Sequence, residues 1–273
     1  MKNFDIIAHE NGTHSLRDLR CGEAMHSRIG PTQEALDLYV NPSKLLERLQ
    51  TSGEDLVLWD VGMGTGANVL TALDQIQGVQ LQGRLVVHSF ESDVSGIRKA
   101  LECLELFPFL KGHTEKVHQL LTEKTIQCEH FSWTLHEGDF FDNFPNVPQA
   151  HVIFYDFYAP QVCPDLWTAE NFLKIRAFLA NENCEFYTYS ASTLVRASLL
   201  RAGFFVGSGS GTSMKRESTV ASTAMDRLEN PLQVNEDWLA KLSRSGRIAA
   251  SELEVIQREI SLSRQFQARS ISI

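Results

Sequence analysis

Leu56-Val57-Leu58-Trp59-Asp60-Val61-Gly62-Met63-Gly64-Thr65-Gly66-Ala67-Asn68-Val69-Leu70 is the stretch from which the rest of the chain can be read. Its run from Leu56 to Trp59 has the continuous hydrophobicity of a strand buried on both faces of a parallel sheet. The run ends in a carboxylate, passes through alternating glycines at Gly62, Gly64 and Gly66, and resumes as the apolar start of a helix. Glycines at such a point let the backbone turn tightly and approach a ligand closely. The stretch therefore predicts a strand, a cradling turn and a helix, with the ligand at the carboxyl edge of the sheet.

The spacing narrows the ligand. A dinucleotide site of the NAD type wants G-x-G-x-x-G, with a pyrophosphate on the helix N-terminus. Here the glycines read G-x-G-x-G, and Asp60 stands two places ahead of the first. That is the form associated with S-adenosylmethionine (SAM), which has no pyrophosphate but carries an ammonium that Asp60 can pair with, directly or through water. A generic glycine-rich turn or an NAD site is the alternative.

The 273 residues, 43% hydrophobic and 22% charged, suit one globular domain with appendages. No run approaches the ~20 consecutive apolar residues that span a bilayer, and the N-terminus lacks a signal-peptide core, so a cytoplasmic protein is expected. Cys21, Cys103, Cys128, Cys163 and Cys184 show no C-x-x-C spacing, so neither a metal site nor a disulfide framework is expected. A formal net charge of -9 counts against a globally basic nucleic-acid binder and leaves a local basic face as the route to such a partner.

The organisation expected is an N-terminal hairpin and helix over 1–50, a main domain over 51–225 and a helical extension over 226–273. Asn11-Gly12 signals a β-hairpin between Phe4–Ile7 and Ser15-Leu16, acting as a lid or edge. A polar stretch from Gly22 to Ala35, containing His26, Ser27 and Arg28, then enters an amphipathic helix carrying Leu38, Tyr39, Leu45, Leu46 and Leu49. His26 and Ser27 are either site residues or a solvated loop beside a helix cap. A second strand, Arg84 to Glu91, ends in an acid placed to accept from ribose hydroxyls, the alternative for Glu91 being a favourable charge at a helix start. Residues 102 to 128 read as helical with a break at Phe107-Pro108. The strand Phe131 to His136 precedes Asp139, either an acceptor for an adenine amino group or an acidic turn residue. The strand His151 to Tyr155 leads to Asp156-Phe157-Tyr158-Ala159-Pro160, where chemistry is expected. Asp60, Glu91, Asp139 and Asp156 thus each terminate a predicted strand, and four acids on one sheet edge are better explained by a shared polar ligand than by stability. A helix from Asp165 to Ala180, a strand from Cys184 to Tyr189, a helix from Thr193 to Ala202, the stretch Gly203-Phe204-Phe205-Val206 and a last strand from Ser218 to Ser222, these two forming a final hairpin, complete a seven-stranded α/β sheet of the class I SAM-dependent methyltransferase (Rossmann-like) type. In the tail, Asn230-Pro231 marks a boundary before two helices. Lys241, Arg244, Arg247, Arg258, Arg264 and Arg269 make it locally basic, with Leu253, Ile256 and Ile260 expected to pack inward.

Together these stretches resemble the methyltransferase part of the MnmC family, whose members act on the wobble uridine of tRNA. The resemblance runs from about residue 11 to 222. It rests on Asn11-Gly12-Thr13-His14-Ser15-Leu16, Gly22-Glu23, His26-Ser27, Gly30, Glu34-Ala35, Gly62-Met63-Gly64-Thr65-Gly66-Ala67-Asn68, Asp156 to Pro160, Pro164 to Thr168, Arg196, Ala202-Gly203-Phe204 and Lys215-Arg216-Glu217. It implies SAM as cofactor, with His26, Ser27, Asp60, Gly62, Gly64, Gly66, Asn68, Glu91 and Asp139 as binding residues and Asp156 and Tyr158 as catalytic ones. Asp60 stands where the family has Glu, Ala67 where a larger apolar residue is usual, and Phe157 where the residue tends to be small. The tail after residue 225 has no counterpart, and no FAD-dependent oxidase segment is present, so the resemblance implies methylation alone.

The reaction implied is in-line displacement by an amine nitrogen at the sulfonium methyl, converting a 5-aminomethyl-uridine to its 5-methylaminomethyl form. The nitrogen must be neutral, and Asp156 can accept its hydrogens and aim the lone pair. Tyr158 would stack on the base or simply pack beside Pro160. A small-amine methyltransferase or aminopropyltransferase, and a non-catalytic SAM-binding protein, remain the alternatives, the first of them suited to the acidic charge balance.

Overall fold

In the computed structural model, residues 3–179, 183–244 and 250–270 are described. Strands β1 (Phe4–Ala8) and β2 (His14–Asp18) form the expected antiparallel hairpin around Asn11-Gly12. It is more than a lid, because Phe4 and Leu16 are buried in the core. After α1 (Pro31–Ala35) the chain widens into a π-helical turn, Leu36–Val40, before α2 (Leu45–Thr51). Such turns occur often at functional sites, and this one carries Tyr39.

The central sheet contains β3 (Leu56–Val61), β4 (Leu85–Glu91), β5 (Thr125–Gln127), β6 (Phe131–Glu137), β7 (Val152–Tyr155), β8 (Glu185–Thr188), β9 (Phe205–Gly209) and β10 (Ser218–Ser222). Their order is β5-β6-β4-β3-β7-β8-β10-β9, and the strands from β6 through β8 run parallel. Seven strands were expected. The eighth, β5, pairs antiparallel with β6 at the edge, and its three residues are too few to give a periodic signal. β10 is antiparallel to both β8 and β9, as the final-hairpin reading requires.

Crossover helices α3 (Ala67–Ile76), α4 (Ser95–Leu101), α5 (Thr114–Glu123), α7 (Ala169–Phe178) and α8 (Thr193–Arg201), with the single-turn α6 (Phe140–Asn143), join the strands. The helical reading of 102–128 proves too long, since a 3₁₀ segment from Pro108 to His113 precedes α5 and β5 follows it. Phe107 is buried at that break, where Pro108 lacks the N–H a continuous helix would need. The helix expected from Asp165 opens as a 3₁₀ turn, Pro164–Trp167, and its expected end, Ala180, lies outside the described residues.

Two apolar layers flank the sheet, one around Leu58, Val87 and Trp133, the other around Trp59, Phe90, Phe140 and Phe186. The tail joins the second layer. Among the described residues its helices are α9 (Glu236–Ser243), α10 (Ala250–Ser261) and α11 (Arg264–Ser270), three rather than the two expected, with Leu242, Ile256 and Ile260 buried and Leu253 packed beside them. Gln265, fully buried, accepts from Val206 N at 2.6 Å and donates to Val206 O at 2.8 Å, so the tail covers the open edge of β9. Of the basic residues expected there, Arg247 and the side chain of Arg269 lie outside the described residues.

Candidate active site

The site is built where parallel strands end. β3 runs into the glycine turn, β4 ends in Glu91, β7 gives way to Asp156 and β8 to Tyr189, so four chain segments deliver polar groups to one edge. A cavity of about 500 Å³ opens there, lined among others by Gly62, Gly64, Glu91, Asp156, Tyr158 and Lys215.

Gly62, Gly64 and Gly66 have φ of 86°, 56° and 79°, values that favour glycine. A Cβ on Gly62 would stand 2.7 Å from the Asp156 carbonyl oxygen, so this glycine lets β3 and the β7 loop touch. A Cβ on Gly64 would meet nothing closer than Met25 Sδ at 3.8 Å, leaving its backbone bare toward the cavity. The Gly64 N–H donates to Glu91 Oε2 at 2.8 Å, and Asp93 N donates to Glu91 Oε1 at 2.9 Å. Burial raises the Glu91 pKa while these backbone donors oppose the rise, and the carboxylate is held at the cavity wall with acceptor capacity to spare.

Both oxygens of Asp156 are held by side chains. Tyr39 Oη donates to its Oδ1 at 2.7 Å and Asn68 Nδ2 to its Oδ2 at 2.9 Å. Tyr39 Oη in turn accepts from Tyr189 N at 3.3 Å. Burial pushes the Asp156 pKa up to about 7; the Tyr39 and Asn68 hydrogen bonds hold it down, Glu34 adds to the rise and Lys215 opposes it. An acid near 7 with a fixed orientation suits proton acceptance at neutral pH.

The four-acid expectation needs correction at two positions. Asp60 does not end its strand: it lies one residue inside β3, fully buried and absent from the cavity lining. Its Oδ2 accepts from Ser89 Oγ at 2.7 Å, and its Oδ1 meets no hydrogen-bond geometry among the described residues, although the Asn68 amide lies close enough to lower its pKa. Burial pushes its pKa up to about 7, moderated by Ser89 and aggravated by the charges of Asp156 and Glu91. Asp60 therefore lies beneath the turn rather than in the cavity wall. Asp139 lies two residues past β6, exposed, and caps α6 by accepting from Phe141 N at 2.7 Å. The acidic-turn alternative describes it, and it does not line the cavity.

The remaining expected residues divide as follows. His26 and Ser27 line the cavity; the Ser27 N–H donates to Glu34 Oε2 at 2.7 Å, and His26, whose pKa burial lowers, sits 3.5 Å from Thr65 Oγ1 with an unpartnered Nδ1. Gly66 turns the chain into α3 outside the lining, and Asn68 reaches Asp156 rather than the cavity. Tyr158 lines the cavity and faces Asp18, while Phe157 lines it beside Tyr155, with ring centroids 5.0 Å apart. Sequence reasoning missed Glu34, Tyr39 and Tyr189. It also missed Arg20, which donates to buried Asp18 at 2.6 Å and to Asp93 at 2.7 Å and so ties the hairpin to the loop after β4. Tyr39 reads in the sequence as one of the apolar positions of a helix; the π turn that redirects such a residue leaves no periodic trace.

This arrangement fits SAM: a glycine turn with bare backbone toward the cavity, an anchored acid at the end of the second strand, and carboxylates to face a ligand that carries a sulfonium and an ammonium group. A family model described as S-adenosyl-L-methionine-dependent methyltransferase matches residues 105–224. Over that segment the chain is similar to the SAM-dependent methyltransferases. Its α/β sheet is that of class I, and SAM is its cofactor. It is 28% identical over 205 residues to the tRNA 5-methylaminomethyl-2-thiouridine biosynthesis bifunctional protein MnmC of Pseudomonas putida (strain W619), covering 71% of this chain and 31% of that one. The corresponding protein of Pseudomonas aeruginosa (strain UCBPP-PA14) is 28% identical over 207 residues, covering 72% and 32%. The chain thus spans about a third of the length of these curated relatives. Among solved structures, MNMC2 from Aquifex aeolicus matches with a TM-score of 0.70 at 28% identity, covering 96% of this chain and 85% of that one. A probable spermidine synthase from Corynebacterium glutamicum, with a TM-score of 0.50 and 14% identity over 95% of this chain and 91% of that one, shares the fold alone. Among the described residues no helix is long and apolar enough to cross a membrane.

Proposed function

We propose that this methyltransferase acts on an amine nitrogen, and that its acceptor is the 5-aminomethyl group of a tRNA wobble uridine. The observation that carries the amine is Asp156, clamped by Tyr39 and Asn68 in the same cavity as the glycine turn and Glu91. The wobble uridine is supported by the MnmC relatives and the MNMC2 structure. A cytoplasmic location goes with a tRNA substrate.

The cofactor would supply an electrophilic methyl group. Glu91 would hold its ribose hydroxyls, the Gly62–Gly64 backbone would line its methionine end, and Asp60 would balance its charge from below. The carboxylate of Asp156, unable to rotate between Tyr39 and Asn68, would accept the amine hydrogens and aim the lone pair along the transfer axis. Tyr158, at the cavity wall, would stack on the splayed base, a contact worth ~1–3 kcal/mol.

A small cationic amine is the second reading. It is favoured by the lining, where Glu23, Glu34, Glu91, Asp93 and Asp156 outnumber Arg20 and Lys215. Labelled SAM and the protein, with tRNA carrying the aminomethyl nucleoside and with putrescine and spermidine in competition, followed by mass spectrometry of the digested nucleosides and of the free amines, separates the two. Label in 5-methylaminomethyl-uridine supports the tRNA reading; label in spermidine or putrescine alone overturns it. The site assignment is tested in the same assay. Asp156→Ala is expected to lower kcat strongly, and Asp156→Asn to retain activity if orientation matters more than charge.

A further inference from the structure

Lys215 lies in the loop between β9 and β10, and its ammonium reaches back to the cavity wall. Nζ donates to the Tyr189 carbonyl oxygen at 2.7 Å and stands 5.0 Å from the Tyr189 ring centroid. Tyr189 N in turn donates to Tyr39, whose hydroxyl donates to Asp156, so Lys215 is one residue removed from the acid clamp. Around this end of the cavity stand Glu34 from α1, Tyr39 from the π turn, Asp156 after β7, Tyr189 after β8, and Glu23 and His26 from the loop after β2. Of the two basic side chains in the lining, Arg20 is engaged by Asp18 and Asp93. Lys215 is left facing Glu34 and Asp156.

This creates a problem for an amine acceptor. Carboxylates beside a primary amine favour its ammonium form, which has no lone pair and cannot attack a methyl group. A second fixed cation reverses that preference, as neighbouring positive charge activates amine nucleophiles elsewhere.

We propose that Lys215 supplies the positive charge that keeps the acceptor amine unprotonated beside Asp156 and Glu34. The role rests on the amine acceptor proposed above. Lys215 is half-buried, and burial holds its pKa below the ordinary lysine value; Glu34 and Asp156 oppose that fall, and the Tyr189 carbonyl and ring contact the ammonium from the other side. The proton of the incoming ammonium leaves to bulk water before transfer, and the nitrogen then forms its bond to the methyl group as the sulfur–methyl bond breaks.

The experiment is the pH dependence of kcat at saturating SAM, for wild type, Lys215→Met, Lys215→Gln and Lys215→Arg. The acceptors are an anticodon stem-loop bearing the aminomethyl nucleoside and a difluorinated analogue whose amine is less basic. Folding of each variant is checked by circular dichroism. Removing the charge is expected to move the acid limb up by about one pH unit, giving about tenfold lower kcat on the acid side and near-normal kcat at alkaline pH. Lys215→Arg is expected to keep the limb in place, and the fluorinated acceptor to restore acid-side turnover to the neutral variants. A uniform fall of kcat at every pH, with the limb unmoved, overturns the role of Lys215 and leaves the amine reading standing. No transfer by the wild-type protein to either acceptor overturns the amine reading, and this inference with it.

Discussion

Two glycines of one turn are expected to respond differently to the same substitution, because their surroundings differ. In Gly62→Ala the new methyl would stand 2.7 Å from the Asp156 carbonyl oxygen and 3.0 Å from its carbon, both backbone atoms, at a φ of 86°. The strained φ costs ~1 kcal/mol and the forced separation of the β3 and β7 loops ~1–3 kcal/mol more. For a chain of this size that predicts a melting temperature lower by about 5–15 °C. In Gly64→Ala the φ of 56° lies within the left-handed region that other residues adopt at modest cost, and the nearest atom, Met25 Sδ, is 3.8 Å away. Its cost to the free protein is therefore only ~1 kcal/mol, and its main effect falls on cofactor binding, since the methyl would enter the cavity beside the N–H that anchors Glu91. Thermal melting without ligand and calorimetry with SAM and its demethylated product measure the two effects separately. If Gly64→Ala binds SAM as tightly as wild type, the turn is not the cradle. If Gly62→Ala melts at the wild-type temperature, the close approach of the two loops is not a structural constraint.

Three further outcomes follow from the same geometry. Glu91→Ala is expected to weaken SAM binding by ~1–3 kcal/mol in calorimetry, with Glu91→Gln intermediate; tight NAD binding in place of SAM would refute the assignment. Tyr39→Phe removes the 2.7 Å donor to Asp156, so Asp156 should ionise at higher pH. Neutral-pH kcat should then fall ~10- to 100-fold and recover toward alkaline pH; an unshifted carboxyl titration, read by carbon-13 NMR of labelled aspartate, would contradict this. Asp60, raised by burial from 3.8 to about 7, adds stability that is complete below the unfolded value and lost as pH rises through about 7. Asp60→Asn should therefore flatten the fall in melting temperature between pH 5 and pH 8, and an unchanged slope would show that the acid is not held in its neutral form.

Position along the chain was enough to identify β3, the glycine turn and the strands leading to Glu91 and Asp156, because a buried parallel strand is a local apolar run and a cradling turn needs local glycines. The hairpin at Asn11-Gly12 was legible for the same reason. What the sequence left open was which acids face the ligand. Strand register sends Asp60 into the layer beside Ser89, and a helix start takes Asp139, and neither outcome follows from being near a strand end. The clamp on Asp156 joins Tyr39 and Asn68, 117 and 88 positions away in the chain, and Tyr189 N reaches Tyr39 across 150 positions, so only chain folding brings them within hydrogen-bonding distance. Tyr39 reads as one more apolar position because periodicity reports burial and is blind to where a buried hydroxyl points. Tertiary packing buries Gln265 against Val206, whose N–H would otherwise have no partner, while the Val206 carbonyl also accepts from Leu232 N. Sequence thus determined the elements, whose causes are local, while the tertiary structure decided the electrostatics of the site, whose causes are the groups that distant segments place around each charge.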